Sequence, residues 1–355
     1  MPARARQSGA ACPPSTGHDE DRDRTGITRR DGLLATLLAT LPASLVLPVP
    51  AARAAQGVYP ARPITLIVPF APGGIADIMA RTVAQAMGLQ LGQTFIVDNR
   101  PSAGSIVGSA AVAQAVADGH TLLLMSNANA VSASLFAKLP FDAIRDFAPI
   151  STLGYFDLVI GVAGDSRFKS LAEVLAQARA QPGRLTIGTI AVGSTQHLAA
   201  ELFKTRTGID ALLVPYKGSP AVLTALRSGE IDLAFEILGP MLPQIESGAV
   251  RALAVTSPRR HPTLAGVPTA QEAGVPDYLV SSWNALAAPR GTPAAVIEVL
   301  QQAAAKALAT PAVHERLGAL GVRPQASSPA QLRDLLAAEI DRWAAVIRAA
   351  KIPVQ

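Results

Sequence analysis

The chain has 355 residues, 49% hydrophobic and 16% charged, which is enough apolar material to bury a sizeable core and to build more than one domain. Its formal net charge of +5 comes partly from an arginine-rich first segment (Arg4, Arg6, Arg22, Arg24, Arg29, Arg30, Arg53). The remainder is mildly basic and lacks the clustered Lys/Arg with interleaved aromatics that nucleic-acid binding requires.

The N-terminus has the order of an export signal. Arg29-Arg30 precede an uncharged apolar run from Gly32 to Val49, and Ala52-Arg53-Ala54 then offers small residues at the outer positions, so cleavage is expected after Ala54. A membrane anchor is the competing reading, but the run holds Pro42 and Pro48 and is barely long enough to span. Thr28-Arg29-Arg30-Asp31-Gly32-Leu33-Leu34 resembles a twin-arginine signal, although Gly32 sits where that signal prefers a large apolar residue, so the export route stays open. The one cysteine, Cys12, lies ahead of the apolar run. The mature exported chain is therefore expected to carry no thiol and no disulfide.

Beyond the leader, short β-branched runs alternate with Ala/Leu-rich helical patterns. Strands are expected at 64–68, 94–97 and 121–125, with helices over 75–87 and 105–117. A second series begins with an extended run at 157–162. It continues with a helix over 171–180, a strand at 185–187, a helix over 197–205, a strand at 211–215, a helix over 219–228 ended by Gly229, and strands at 231–235 and 250–255. The closing segment is helical. Thr292-Pro293 and Ser328-Pro329 each pair an N-cap with proline at the first helical position, and Leu332, Leu335, Leu336, Ile340, Trp343, Val346 and Ile347 mark one apolar face. The alternation predicts an α/β chain of two lobes, each a mostly parallel sheet flanked by helices, with a ligand crevice between them. The lobes are expected at 55–160 with 281–355, and at 161–280, after a leader over 1–54.

Three strand-to-helix junctions share one composition: Pro69 to Asp77, Met125 to Asn129, and Gly188 to His197. Each opens a helix with Gly, Ser, Thr or Asn. Helix N-termini leave unpaired N–H groups and a partial positive charge, which suits an anion. Three such ends facing one cleft can hold a carboxylate without any arginine. Taken singly, each has a structural reading as well. Gly73-Gly74 makes a tight turn, Asp77 can cap its own helix, and Ser194 and Thr195 are ordinary N-caps.

An enzyme reading has little to stand on. Ser194 and His197 stand three apart at a helix start, but no Gly-x-Ser-x-Gly elbow is present. The other histidines of the body, His120, His261 and His314, are far apart and lack zinc spacing, so neither metal nor cofactor is expected. A periplasmic hydrolase is thus the lesser alternative to a binding protein.

The blocks Tyr59-Pro60-Ala61-Arg62-Pro63-Ile64 and Val68-Pro69-Phe70-Ala71-Pro72-Gly73-Gly74 resemble the start of receptors of the tripartite tricarboxylate transporter, the Bug family. The resemblance continues in order through Asp98-Asn99-Arg100-Pro101, Ala117-Asp118-Gly119-His120, Leu139-Pro140-Phe141-Asp142, Val214-Pro215-Tyr216-Lys217-Gly218, Arg251 to Thr256 and Ala288-Pro289-Arg290-Gly291-Thr292-Pro293. It implies a type II-like periplasmic-binding fold that closes, in the manner of a Venus flytrap, around a small organic acid such as a di- or tricarboxylate or an acidic amino acid. It also implies delivery to integral membrane transporter subunits, although a sensor reporting to a membrane kinase would use the same cleft. The receptor is expected to be monomeric. Carried over by position, Phe70, Gly74, Ile75, Asp77, Ser126, Asn127, Thr189, Ser194 and Thr195 would line the cleft. Glu236 stands where the family frequently carries Asp, and is open to meeting an ammonium or hydroxyl of the ligand or to simple solvation. Ala76 replaces a common hydroxyl, and Asn284 a more usual aromatic after Trp283.

Overall fold

Ile64, Leu66, Ile67 and Val68 are each no more than 2% exposed, and a strand buried on both faces reads as a near-continuous apolar run, here interrupted only by Thr65. This strand, β1 (Ile64–Val68), lies parallel to β2 (Phe95–Asn99) on one side and β3 (Thr121–Ser126) on the other. The computed structural model describes residues 59–355. The leader expected over 1–54, its cleavage after Ala54, and Cys12 lie outside the described residues. No helix among the described residues is long and apolar enough to cross a membrane.

Helices α1 (Ile75–Leu91), α2 (Ile106–Ala113) and α3 (Asn127–Leu135) connect and follow these strands. The long β4 (Phe147–Ala163) comes next, then α4 (Leu171–Ala180), β5 (Leu185–Ile190), α5 (Thr195–Thr207), β6 (Ala211–Tyr216), α6 (Ser219–Arg227), β7 (Leu233–Ile237), α7 (Leu238–Glu246) and β8 (Val250–Val255). The chain closes with β9 (Ser281–Pro289), α8 (Ala294–Ala309), α9 (Pro311–Gly318), β10 (Val322–Pro324) and α10 (Pro329–Ala349).

The strands form one mixed sheet in the order β2-β1-β3-β9-β4-β7-β5-β6, with β8 and β10 also paired to β4. Two parallel sets, β2-β1-β3 and β7-β5-β6, are joined through antiparallel β9 and β4. Within β4 the partner changes at one point. Residues Phe147 to Asp157 pair with β9, whereas Leu158 to Ala163 pair with β7 and β8.

Packing differs between the two faces. Ile64, Leu66 and Val68 pack with Met79 and Val83 of α1 and Leu300 of α8. Val159, Ala234 and Val255 pack separately with Val222 and Leu226 of α6 and Met241 of α7. A third cluster runs under both parallel sets, joining Ile67, Leu123 and Met125 to Ile160, Ile187, Leu233 and Phe235, and includes the α10 residues Leu332, Leu336, Trp343, Val346 and Ile347. One face therefore has a continuous core and the other a divided one.

Several elements depart from expectation for local reasons. β4 begins ten residues earlier than the run expected at 157, because bulges between Pro149 and Ser151 and between Thr152 and Gly154 absorb residues that break the strand pattern. The helix expected over 105–117 spans only Ile106–Ala113. Its entry is bent by left-handed residues at Gly104 and Ser105. Thr292 does not cap α8, which starts at Ala294 with Pro293 as N-cap, and its hydroxyl donates to the Pro289 carbonyl at 2.8 Å instead. Ser328 does cap α10, in a reciprocal box with Gln331.

Candidate functional site

The first junction is shaped by Asp77, in the first turn of α1 and 3% exposed. Its Oδ2 accepts from the Gly73 N–H at 2.9 Å and Arg81 Nε at 3.0 Å, and its Oδ1 accepts from Asn99 Nδ2 at 2.9 Å. Asn99 also donates to the Phe70 carbonyl and accepts from Arg81. Gly73 has φ +83°, so the turn needs a residue without a Cβ. Burial alone would raise the Asp77 pKa, but the hydrogen bonds from Arg81, Gly73 N–H and Asn99 outweigh it and hold the carboxyl below the usual range. Both Asp77 oxygens are thus spent on the loop. Gly74, the N-cap of α1, supplies no side-chain cap, while Phe70 and Ile75 are half-buried and Ala71 to Gly74 are exposed.

The second junction is a capping box. Ser126 Oγ accepts from the Ala128 N–H, and the Ser126 N–H donates to Asn129 Oδ1. Asn127 is 1% exposed, and its amide bridges distant elements. Its Oδ1 accepts from Trp343 Nε1 of α10 at 2.8 Å, and its Nδ2 donates to Thr195 Oγ1 of α5 at 2.8 Å. Thr195 Oγ1 in turn donates to Ser282 Oγ of β9 at 3.3 Å.

At the third junction, Ser194 caps α5 by accepting from the His197 N–H at 3.1 Å and donates to the Ile190 carbonyl. Gly193 has φ +81°, and a Cβ there would collide with Leu135 of α3, so this loop seats directly on α3. Thr189 is fully buried with no partner for its hydroxyl. His197 is buried and its Nδ1 is unpartnered. Burial lowers its pKa, with Glu201 opposing and Lys204 adding to the shift. Ser194 meets the backbone of His197, not its ring, so the pair lacks the nucleophile–base hydrogen bond of a hydrolase.

The second and third junctions are therefore joined directly. Among the described residues no hydrogen bond ties the first junction to either; it approaches the start of α7 instead. A Cβ on Gly239 would crowd the Leu320 carbonyl and Ile75 of α1. Gly239→Ala is expected to lower stability by about 2 kcal/mol through this overpacking, read as a shifted urea midpoint.

Glu236, at the end of β7 just before α7, is 0% exposed. Its Oε1 accepts from Gln196 Nε2 at 2.7 Å and from the Ile237 N–H at 2.8 Å, while Oε2 has no partner. Burial raises its pKa, and the hydrogen bonds from Gln196 and the Ile237 N–H offset this only partly. Trp343, Ser282, Gln196 and Asn99 enter the site without having been singled out as site residues from the sequence. A buried indole needs an acceptor for its N–H, and that requirement was the available signal for Trp343. Ser282 carried none.

The model of the tripartite tricarboxylate transporter family receptor matches residues 79–352. The chain is 40% identical over 300 residues to BugT of Bordetella pertussis, covering 84% of this chain and 92% of that one. It is similar to a solved R. palustris protein with adipate at 35% identity and a TM-score of 0.74, covering 83% of this chain and 99% of that one. It is also similar to MatC from Rhodopseudomonas palustris with bound malate, at 31% identity and a TM-score of 0.69, covering 81% and 100%. These matches span nearly all of the described residues and share their mixed α/β architecture, and the chain belongs to the tripartite tricarboxylate transporter receptor family.

Proposed function

We propose that this protein is an exported periplasmic receptor that captures a small dicarboxylate between two lobes, residues 55–160 with 281–355 and residues 161–280, and delivers it to membrane transporter subunits. The observation that carries this reading is the hydrogen bond from Asn127 to Thr195. It links the helix-start loop after β3 to the one before α5, and so joins the two proposed lobes. Gly193 against Leu135, and Ile75 against Gly239, bring further helix starts of one lobe against the other. Uncapped N–H groups at α1, the unpartnered Thr189 hydroxyl and the Glu236 carboxyl supply hydrogen-bonding capacity that a ligand can satisfy. Adipate and malate in the related structures support a small dicarboxylate as the ligand. A ligand touching both lobes binds the closed arrangement better than the open one, which is what drives closure.

Protein purified without unfolding should release a small organic acid detectable by mass spectrometry, and adipate or malate should raise its melting temperature. Failure of both would sink the reading. In the double variant Ser194→Ala/Thr195→Ala, loss of the α5 cap and of the acceptor for the buried Asn127 amide should together cost about 2–4 kcal/mol without ligand. Ligand affinity should fall at least about tenfold in addition, or 1.4 kcal/mol. Ligand-induced thermal shifts separate the two effects. An unchanged shift would reduce both residues to structural caps.

A further inference from the structure

A cavity of about 700 Å3 contains none of the three junctions in its lining, which is formed by the segment after β8, the end of α9, β10 and Asp157 of β4. Its charge is one-sided: Arg259, Arg260 and Arg323 with His261 and His314, against Asp157 alone. Two of the arginines are already engaged. Arg260 pairs with Glu272 at 2.9 Å, and Arg323 reaches Asp157 at 3.4 Å while its guanidinium lies 5.1 Å from the Tyr155 ring centroid. Arg259 has no acidic partner among the described residues. His261 Nδ1 accepts from the Thr263 N–H at 3.3 Å, which places the proton of the neutral ring on Nε2 and makes that nitrogen a donor. Burial lowers the His261 pKa, Asp157 opposes this and Arg323 reinforces it. Pro258, Pro262 and Pro324 add apolar wall between these groups. Like charges gathered in a concave, partly apolar recess focus a positive potential that bulk solvent screens poorly.

We infer that this recess is a second binding site, separate from the cleft, for a small oxyanion carried on an apolar body, held by Arg259 and His261 with Arg323 behind them. The apolar walls favour such a body over a bare inorganic ion. The recess also spans the point where β4 changes partner. The segment after β8 continues a strand paired to the second part of β4, whereas β10 is paired to the first, so an occupant would touch both.

The test is calorimetric titration with phenyl phosphate and with benzoate, in the wild-type chain, in Arg259→Glu and in the cleft variant Ser194→Ala/Thr195→Ala. Arg259 is exposed, so its reversal should leave the melting temperature unchanged. Saturable binding of at least one probe is expected in the wild type and the cleft variant, at least tenfold weaker in Arg259→Glu. The tighter probe then names the headgroup, phosphate or carboxylate. Absence of saturable binding in the wild type, equal binding in Arg259→Glu, or loss in the cleft variant would overturn the inference. None of these results depends on whether the cleft takes a dicarboxylate.

Discussion

Replacing Asp77 by alanine is expected to destabilise the protein by about 3 kcal/mol and to weaken ligand binding through the collapse of one loop. The side chain is buried and accepts three hydrogen bonds, one from a backbone N–H and two from side chains that are themselves committed elsewhere. Removing it loses three hydrogen bonds to a charged carboxylate, each worth about 1.5–3 kcal/mol, and water reaching the exposed Gly73 and the half-buried Asn99 recovers part of that. Asp77→Asn should recover little. An amide offers one acceptor oxygen where two are used, and its NH2 would face either Asn99 Nδ2 or the Gly73 and Arg81 donors. Turning Asn99 around to receive it would break the Asn99 bonds to the Phe70 carbonyl and to Arg81. The pH dependence has a definite sign. A carboxyl whose folded pKa lies below its unfolded value near 3.8 contributes fully above that value, and the contribution is lost as pH falls through the folded pKa. The urea-derived stability gap between wild type and Asp77→Asn should therefore be constant from pH 5 to 7 and narrow below about pH 4. A gap that persists in acid would mean that shape, not charge, is what Asp77 supplies.

The same residue marks where sequence reasoning stops. The glycines and the acid before α1 identify a helix-start loop, because only a few residue types tolerate φ +83° or cap a helix. Whether Asp77 faces a ligand or its own loop depends on Asn99, which is 22 positions away and enters through parallel strand pairing. Asn127 poses the same problem on a larger scale, since its two partners, Thr195 and Trp343, are 68 and 216 positions away. Strands with both faces buried, such as β1 and β3, were legible from apolar runs. The first part of β4 was not, because its bulges hide the period. Helix α7 lies between 235 and 250, where the sequence pattern predicts no element, and it contains Pro240 and Pro243. Pro240 stands in the first turn, where no intrahelical donor is lost.

Glu236→Gln is expected to be more stable than the wild type at pH 8 by about 2 kcal/mol, and to lose that advantage in acid. The estimate rests on the penalty for a buried charged group with an unsatisfied oxygen. With Oε1 accepting from Gln196 and Ile237 N–H, the geometry suits a proton on Oε2, and a glutamine amide reproduces that pattern of one acceptor and one donor. No charged side chain contributes to the shift; burial dominates and the hydrogen bonds from Gln196 and the Ile237 N–H oppose it. An acid with a raised folded pKa keeps its full stability below the unfolded value near 4.5. It loses stability as pH rises toward the folded value, since the unfolded chain gives up its proton first. His197, whose pKa is lowered by burial, contributes the opposite slope below about pH 6.5, but both proteins share it and the difference cancels. Parallel stability profiles for wild type and Glu236→Gln from pH 4 to 8 would mean that the carboxyl titrates normally. If the profiles diverge, adipate or malate should bind wild type more weakly as pH rises, because a neutral Oε2–H can donate to an incoming carboxylate and an ionised one repels it, whereas Glu236→Gln should bind with little pH dependence over the same range.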